Sequence, residues 1–277
     1  MKTDKLTLSA KSFLNAAVID TSIALEVYGV TKDNFSAVKA KLIKLYGDGA
    51  ADIKQSETIS MPAAQTFDKA RYNVVDAVRV IDRLMQKDGG CPWDSVQTHE
   101  SIRINMIEEA YEAVDAIDKH DMDNMTEEFG DVLLQSLLQS AIARRDGEFD
   151  FDDVCDGLCK KLISRHTFIF GGDNAGNADD AITLWEKNKA VEKHYSSLKD
   201  QLERLPDSFP ALLLAQKVYK KSKKAGKEAG LKAQLAEAVD KSDYARVVVA
   251  AAALLQDGGL DAEVEVNKLV KEYIDSL

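Results

Sequence analysis

The stretch IEEAYEAVDAIDKHDMDNMTEEFGDVLLQSLLQSAIARRDG, residues 107–147, decides the fold of this 277-residue chain. Its apolar residues recur every three or four positions, which is typical of amphipathic helices. The pattern predicts one helix over about residues 100–119 and a second over about residues 123–145, before Gly147. The second helix is apolar almost all round, and we expect it to pack on several sides.

Acidic residues interrupt the apolar faces of both helices. Glu109 and Glu112 lie one turn apart on the first helix, and Glu128 and Asp131 lie one turn apart on the second. A lone buried carboxylate costs on the order of several kcal/mol or becomes protonated, whereas two such pairs could converge on one cation. Glu109 lies within the apolar stripe predicted to be buried, which consists of Ile102, Met106, Ala110, Ala113 and Ile117.

The chemistry of these four candidate ligands indicates which ion they would hold. All are hard carboxylate oxygens with no Cys or His at ligand spacing beside them, which favours Mg²⁺, or Mn²⁺, over zinc. A di-iron bundle normally needs Glu-x-x-His pairs, and no Glu in this sequence has a His three residues later. The plain alternative is that acidic residues on helices are simply solvated.

Basic and aromatic residues further along the chain could bind phosphate. Arg can hold phosphate oxygens through two parallel hydrogen bonds, and Lys supplies a point charge. Together with the acids, these residues could bind a polyphosphate through a metal ion on one side and through cations on the other. Glu108 could position the attacking water. Alternatively, the Trp anchors its helix in the core and the first two cations balance a helix C-terminus. The candidates are Lys161, Arg165, His166, Trp185 and Lys189.

Composition narrows the partners and the cellular location. The formal net charge is −11 at pH 7, so nucleic-acid phosphates would be repelled and no nucleic-acid partner is expected. The 3 cysteines form neither a disulfide framework nor a zinc signature. The apolar run Phe13–Ile19 is too short to span a bilayer, so we expect a cytoplasmic protein with no membrane partner.

Three regions are predicted along the chain. Residues 1–65 form a short N-terminal α/β segment, with a helix over residues 35–46 and a linker over residues 48–64. Residues 66–195 are helical, beginning with a helix over residues 74–84. Residues 206–277 contain a Lys-rich helix, an Ala/Val-rich helix over about residues 244–256, and a short final helix.

Three motifs resemble the MazG nucleoside triphosphate pyrophosphohydrolases: Gly90-Cys91-Pro92-Trp93-Asp94, then Glu108-Glu109-Ala110-Tyr111-Glu112, then Glu127-Glu128-Phe129-Gly130-Asp131. Residues 161–166 and 185–189 also resemble that family, so the similarity covers about residues 70–195. It implies an all-α fold, a homodimer, and Mg²⁺-dependent hydrolysis of nucleoside triphosphates to nucleoside monophosphates and pyrophosphate. It also implies metal ligation by Glu109, Glu112, Glu128 and Asp131, an accessory role for Glu108, and nucleotide contacts from Lys161, Arg165, Trp185 and Lys189.

The flanking regions resemble parts of longer members of this family. Residues 206–277 are similar to a degenerate second MazG-like domain, in which we align Asp243 and Arg246 with the ExxD motif and expect no catalysis. Residues 1–65 faintly resemble the tail of a tetrapyrrole methylase domain, as a remnant. The Lys cluster of residues 217–227 is most simply a solvated helix face, and the alternative is an anion-binding rim.

Three hypotheses follow from the sequence, in decreasing order of support. The first is a metal-dependent pyrophosphohydrolase that removes surplus or non-standard nucleotides. The second is a nucleotide-sensing or partner-binding helical dimer with little turnover. The third is a purely structural helical bundle, for which neutralising the four carboxylates would stabilise the fold with no dependence on Mg²⁺.

Overall fold

A computed structural model describes residues 5–65, 67–226 and 230–277 of the chain. The chain divides between Lys160 and Lys161 into two compact units. Helices dominate both units, and a small three-stranded sheet lies near the N-terminus, so the predicted fold class is confirmed. Within the described ranges, no helix combines the length and the apolar character needed to cross a membrane.

The N-terminal segment folds around its own small sheet. Strands β1 (Lys5–Ser9) and β2 (Ala24–Tyr28) are parallel, and β3 (Thr58–Met61) pairs antiparallel with β2. Helices α1 (Ala10–Asn15) and α2 (Phe35–Tyr46) complete this segment, and α2 has the predicted bounds. The core that holds them together consists of fully buried apolar side chains, chiefly Phe13, Leu25, Val27, Val38 and Leu42.

The prediction of a linker over residues 48–64 is wrong in part. A short 3-10 helix covers Gly47–Ala50, and β3 buries Ile59 and Met61 on alternate positions against the core. Period-two alternation over only four residues, interrupted by Ser and Thr, is a weak signal because it competes with turn-forming composition. The paired backbone of β2 is what stabilises this strand.

A buried ion pair attaches this segment to helix α3 (Val74–Leu84). Lys69 Nζ contacts the Asp76 carboxylate, and the two side chains are 0% and 1% exposed. Lys69 Nζ also donates to Ser22 Oγ at 2.7 Å, and Arg79 donates to both carboxylate oxygens of Asp20 at 2.9 and 2.8 Å. The guanidinium of Arg79 holds the pKa of Asp20 well below its usual range.

The long helical hairpin of the N-terminal unit is formed by α4 (Asn105–Asp118) and α5 (Met122–Asp146). α3 packs on the C-terminal half of α5, where Ile81 lies among Leu137, Leu138 and Ile142. α4 begins later than residue 100, because Thr98 and Ser101 cap each other's backbone amides in a local turn. The second helix follows the predicted bounds closely.

Two expectations about burial in this hairpin are wrong. Of the predicted stripe, Met106, Ala110 and Ile117 are exposed, whereas Ile102 and Ala113 are buried; Ala116, outside the stripe, is also buried. In α5 the apolar residues of the N-terminal half are also accessible: Phe129 is 49% exposed and Leu133 is 38% exposed. The physical reason is that α3 packs only on the C-terminal half of α5, whereas in the described part of the chain the N-terminal half packs chiefly against α4.

The loop with the sequence Gly-Cys-Pro-Trp-Asp connects α3 to α4 and is fixed at both ends. A β-carbon at Gly90 would lie 2.2 Å from the carbonyl oxygen of Gln86, so only glycine fits there. Arg145 of α5 donates to the carbonyl oxygens of Ser95 and Gln97 at 3.2 and 2.9 Å. The loop therefore fixes the start of α4 relative to α5.

The remaining helices follow in short succession. Their bounds are α6 (Phe151–Arg165), which spans the division between the units, α7 (Thr167–Phe170), α8 (Ala178–Glu192), α9 (Leu198–Glu203), α10 (Ala211–Lys224), α11 (Leu231–Asp240), α12 (Tyr244–Asp257) and α13 (Ala262–Asp275). Helix α11 was not predicted from the sequence, and α13 is longer than predicted. Buried Gln216 of α10 holds the α12–α13 connection by bonding the carbonyl of Leu260 and the amide of Ala262.

Candidate active site

The α4–α5 hairpin brings three of the four predicted metal ligands together. Glu109, Glu112 and Glu128 each offer a carboxylate oxygen, and these oxygens lie within 4.8 Å of one another. Glu109 is half-buried, Glu112 is exposed and Glu128 is buried. Glu109 and Glu112 can both face Glu128 because positions three residues apart lie on the same side of a helix.

The acidic cluster carries unbalanced negative charge. The pKa of Glu109 is raised, first by burial and then by the charges of Asp131, Glu112 and Glu108. The pKa of Glu128 is raised by burial and then by Glu112 and Asp131. Asp131 is outside the group of converging oxygens, yet its charge acts on both of these glutamates. The four acids therefore form one electrostatic unit.

Gln135 contacts the acidic cluster through Glu109. It lies one turn beyond Asp131 on α5, and its Nε2 donates to Glu109 Oε1 at 3.4 Å. Its Oε1 is buried, and no donor in the described part of the chain reaches it. The signal in the sequence was its spacing of four residues from Asp131, which places both on one face of the helix.

These observations fit a hard divalent cation. In the described ranges none of the four carboxylates pairs with a Lys, Arg or His side chain, so their mutual repulsion is not offset by protein cations. Hard oxygen ligands of this kind suit Mg²⁺, Mn²⁺ or Ca²⁺ rather than a soft ion. Glu108 is exposed beside the cluster, and its accessory role stays a prediction.

The predicted phosphate-binding residues belong to the C-terminal unit and form a second group. Arg165 is buried and makes a bidentate pair with Glu192, with both N–O distances 2.8 Å. This pairing lowers the pKa of Glu192 to about 2. The guanidinium lies 5.0 Å from the centroid of the Trp185 ring, and Lys189 Nζ lies 5.2 Å from the same centroid.

Lys161 and His166 are the other two predicted phosphate-binding residues. Lys161 is exposed, and the ring of His166 is half-buried with its Nδ1 2.7 Å from the carbonyl oxygen of Leu162. The His166 ring also contacts Phe168 edge-on. Trp185 is half-buried. The nucleotide-binding roles of these residues stay predictions.

A tight turn joins the two helices that carry the acids. Residues 115–122, DAIDKHDM, contain His120 with a positive φ of 56°. The side chain of Asp121 caps α5 by accepting from the Asn124 amide, and the Asp121 amide donates to the carbonyl of Ala116. The capping fixes where α5 starts.

The α11–α12 hairpin repeats this turn in sequence and in geometry. Residues 237–244 read EAVDKSDY, and Ser242 has a φ of 53°. Asp243 caps α12 by accepting from the Arg246 amide, and the Asp243 amide donates to the carbonyl of Ala238. Asp243 therefore has the same capping position as Asp121, whereas from the sequence alone we align it with the ExxD motif.

Comparison with known proteins identifies the family. Residues 97–170 match the model of the MazG nucleotide pyrophosphohydrolase domain. The chain is 41% identical over 153 residues to YabN of Bacillus subtilis (strain 168), covering 55% of this chain and 31% of that protein. It is 36% identical to the nucleoside triphosphate pyrophosphohydrolase of Escherichia coli (strain K12), covering 53% of this chain and 56% of that protein. The chain therefore spans about half or less of the length of these two relatives.

A third relative is matched over more of its length. A 26.1 kDa protein of Streptomyces cacaoi is 38% identical over 187 residues, which are 67% of this chain and 74% of that protein. The matched segment of the family model contains all four acids of the α4–α5 hairpin. The chain belongs to the MazG nucleotide pyrophosphohydrolase family.

Proposed function

We propose that the chain hydrolyses nucleoside triphosphates to nucleoside monophosphates and pyrophosphate, with Mg²⁺ as the preferred ion and Mn²⁺ as a substitute. The observation that carries this proposal is the convergence of Glu109, Glu112 and Glu128 oxygens within the segment that matches the family. The name of the Escherichia coli relative, nucleoside triphosphate pyrophosphohydrolase, supports the same activity. A polyphosphate needs such a cation, because it would otherwise be repelled by the acids.

The residues of this chain have separable tasks in the proposed reaction. Glu109, Glu112, Glu128 and Asp131 would hold the ion, which when bound offsets phosphate charge and lowers the pKa of a nearby water. Glu108, exposed beside them, would accept the proton of the attacking water on its carboxylate. Attack at the α-phosphorus breaks its bond to the bridging oxygen and releases pyrophosphate.

A panel of nucleoside and deoxynucleoside triphosphates tests this proposal. With Mg²⁺ present, chromatography of the products should show monophosphate and pyrophosphate in equal amounts. After EDTA is added, the protein should show no turnover. Release of orthophosphate and diphosphate would contradict the reaction. Tight nucleotide binding without turnover in any metal would favour the alternative of a nucleotide-sensing protein.

Because nucleoside triphosphates are cytoplasmic metabolites, the proposed activity also predicts recovery of the protein in the cytoplasmic fraction of cells.

We also propose that the chain works as a homodimer through the α4–α5 hairpin. Around the acids lie many exposed apolar side chains, among them Ile107, Tyr111, Met122 and Phe129, each at least 49% exposed. Contiguous exposed apolar surface of this kind typically marks an interface. Sedimentation equilibrium should give twice the monomer mass of 30.5 kDa, and a monomer at micromolar concentration would contradict the proposal.

We propose further that residues 206–277 are a second MazG-like domain without a metal site. Counted from the shared turn, the positions of Glu109, Glu112, Glu128 and Asp131 correspond to Leu231, Gln234, Ala250 and Ala253. These four residues line a cavity of about 710 Å³ between α10, α11 and α12. Three of these side chains are apolar and none of the four is a carboxylate, so the set lacks the charged oxygen ligands that a hard cation prefers. A second metal-binding event in the intact chain would contradict this proposal.

A further inference from the structure

The lysines of helix α10 do not all serve as a solvated face. Lys223 pairs with Asp257, and Lys224 pairs with Glu186. Lys217 lies over the ring of Phe209, with Nζ 5.7 Å from the centroid. Lys220 is exposed to solvent, whereas Lys221 is half-buried. Lys227, the last lysine of the predicted cluster, lies outside the described residues.

Lys221 faces a cavity that Trp185 and Lys189 also line. This cavity has a volume of about 300 Å³, and its walls include the aromatic rings of Trp185 and Tyr195. Lys221 is the second largest cause of the lowered pKa of Lys189, after burial. The two ammonium groups are therefore close enough to repel each other.

Among the described residues that line this cavity, four are lysines (Lys187, Lys189, Lys221 and Lys224) and one is an acid, Glu186. Arg165 is already neutralised by Glu192, and Glu186 is engaged by Lys224. In the described part of the chain, neither Lys189 nor Lys221 forms an ion pair. Two unpaired, partly desolvated ammonium groups at one cavity are unfavourable without an anion, and they are conspicuous in a chain of net charge −11.

We propose that Lys221 and Lys189 together bind the phosphate groups of a polyphosphate anion in this cavity. Helix α10, which belongs to the proposed inactive second domain, would thereby supply a cation for substrate binding. The inference rests on the proposed function for the identity of the anion as the triphosphate of the substrate. Lys221 acts in this cavity as a binding residue for phosphate.

Binding of inorganic tripolyphosphate to the full chain in EDTA tests the site without turnover. In a Trp93→Phe background, the fluorescence of Trp185 should change on binding. Lys221→Gln should weaken this binding by about tenfold, because it removes one of two cations from a partly desolvated site. Lys220→Gln removes the same charge one residue away and should leave the affinity unchanged. Lys221→Arg should retain most of the affinity.

Steady-state kinetics with a nucleoside triphosphate and Mg²⁺ complete the test. Lys221→Gln should raise KM by about tenfold with kcat little changed, as expected for loss of uniform binding. Equal tripolyphosphate affinity in wild type and Lys221→Gln overturns the inference and leaves the hydrolase proposal intact. Lys221-dependent binding without any hydrolysis supports the site and contradicts the proposed function instead.

Discussion

Replacing Glu128 with Gln should reduce kcat/KM for nucleoside triphosphate hydrolysis by about 10²-fold or more, a loss of about 2.7 kcal/mol of transition-state stabilisation. Glu128 is 9% exposed and is one of the converging carboxylates, so its replacement removes one charged oxygen ligand from the proposed metal site. Gln has nearly the same size and keeps one oxygen, so packing should be preserved. Initial rates at several Mg²⁺ concentrations measure the effect, and the Mg²⁺ concentration for half-maximal rate should rise.

Glu127→Gln is the matched control for this variant. Glu127 is the preceding residue of α5 and is exposed, so the substitution removes the same charge from the same helix without touching the converging oxygens. Its rate should stay within about twofold of wild type, as expected for a surface substitution. A wild-type rate in Glu128→Gln at low Mg²⁺ would show that this carboxylate is not a metal ligand.

Replacing Asp76 with Ala should lower the free energy of unfolding by about 3–5 kcal/mol, because breaking a buried ion pair leaves an uncompensated charge. Among the described residues, the Lys69 ammonium, 0% exposed, would keep the hydroxyl of Ser22 as its one remaining partner. The variant also loses the capping box at the start of α3, in which Asp76 Oδ2 accepts from the Asn73 amide at 3.0 Å. Urea denaturation followed by circular dichroism measures the change.

Two further variants separate the ion pair from other effects of substitution in α3. Asp82, on the same helix as Asp76, makes an exposed pair with Arg144 of α5, and Asp82→Ala should cost less than about 1 kcal/mol. The double variant Lys69→Met, Asp76→Leu removes both charges and should recover most of the lost stability. A double variant as unstable as Asp76→Ala would show that the pairing of Lys69 with Asp76 is not the cause.

Local periodicity explains why the helices around the acids could be predicted. α2, α3 and α5 have apolar residues at helical spacing and distinct ends, such as Gly47 after α2 and Gly147 after α5. The convergence of Glu109 with Glu128 was also predictable, because two consecutive helices joined by a short turn must run antiparallel. These features depend on residues close together in sequence.

Features that depend on distant residues were not predictable in this way. Strand β3 exists because β2 supplies its hydrogen bonds, and the buried Lys69 is stabilised by Ser22 and Asp76 on different elements. The exposure of Met106 and Phe129 was not predicted. Helical spacing indicates that an apolar residue lies on a packing face, but not whether the surface that covers this face belongs to the same chain. The anion-facing role of Lys221 likewise requires knowledge of which lysines have acidic partners.

The proposed function depends on a divalent cation held by the carboxylates of the α4–α5 hairpin. Titration of the intact chain with Mn²⁺, following the electron paramagnetic resonance signal of the free ion, tests it without any substrate. We expect saturable Mn²⁺ binding in the wild type. The double variant Glu109→Gln, Glu128→Gln should lose that binding and show no residual binding from the C-terminal hairpin. Equal Mn²⁺ binding by the wild type and this double variant, or no saturable binding by either, would contradict the account.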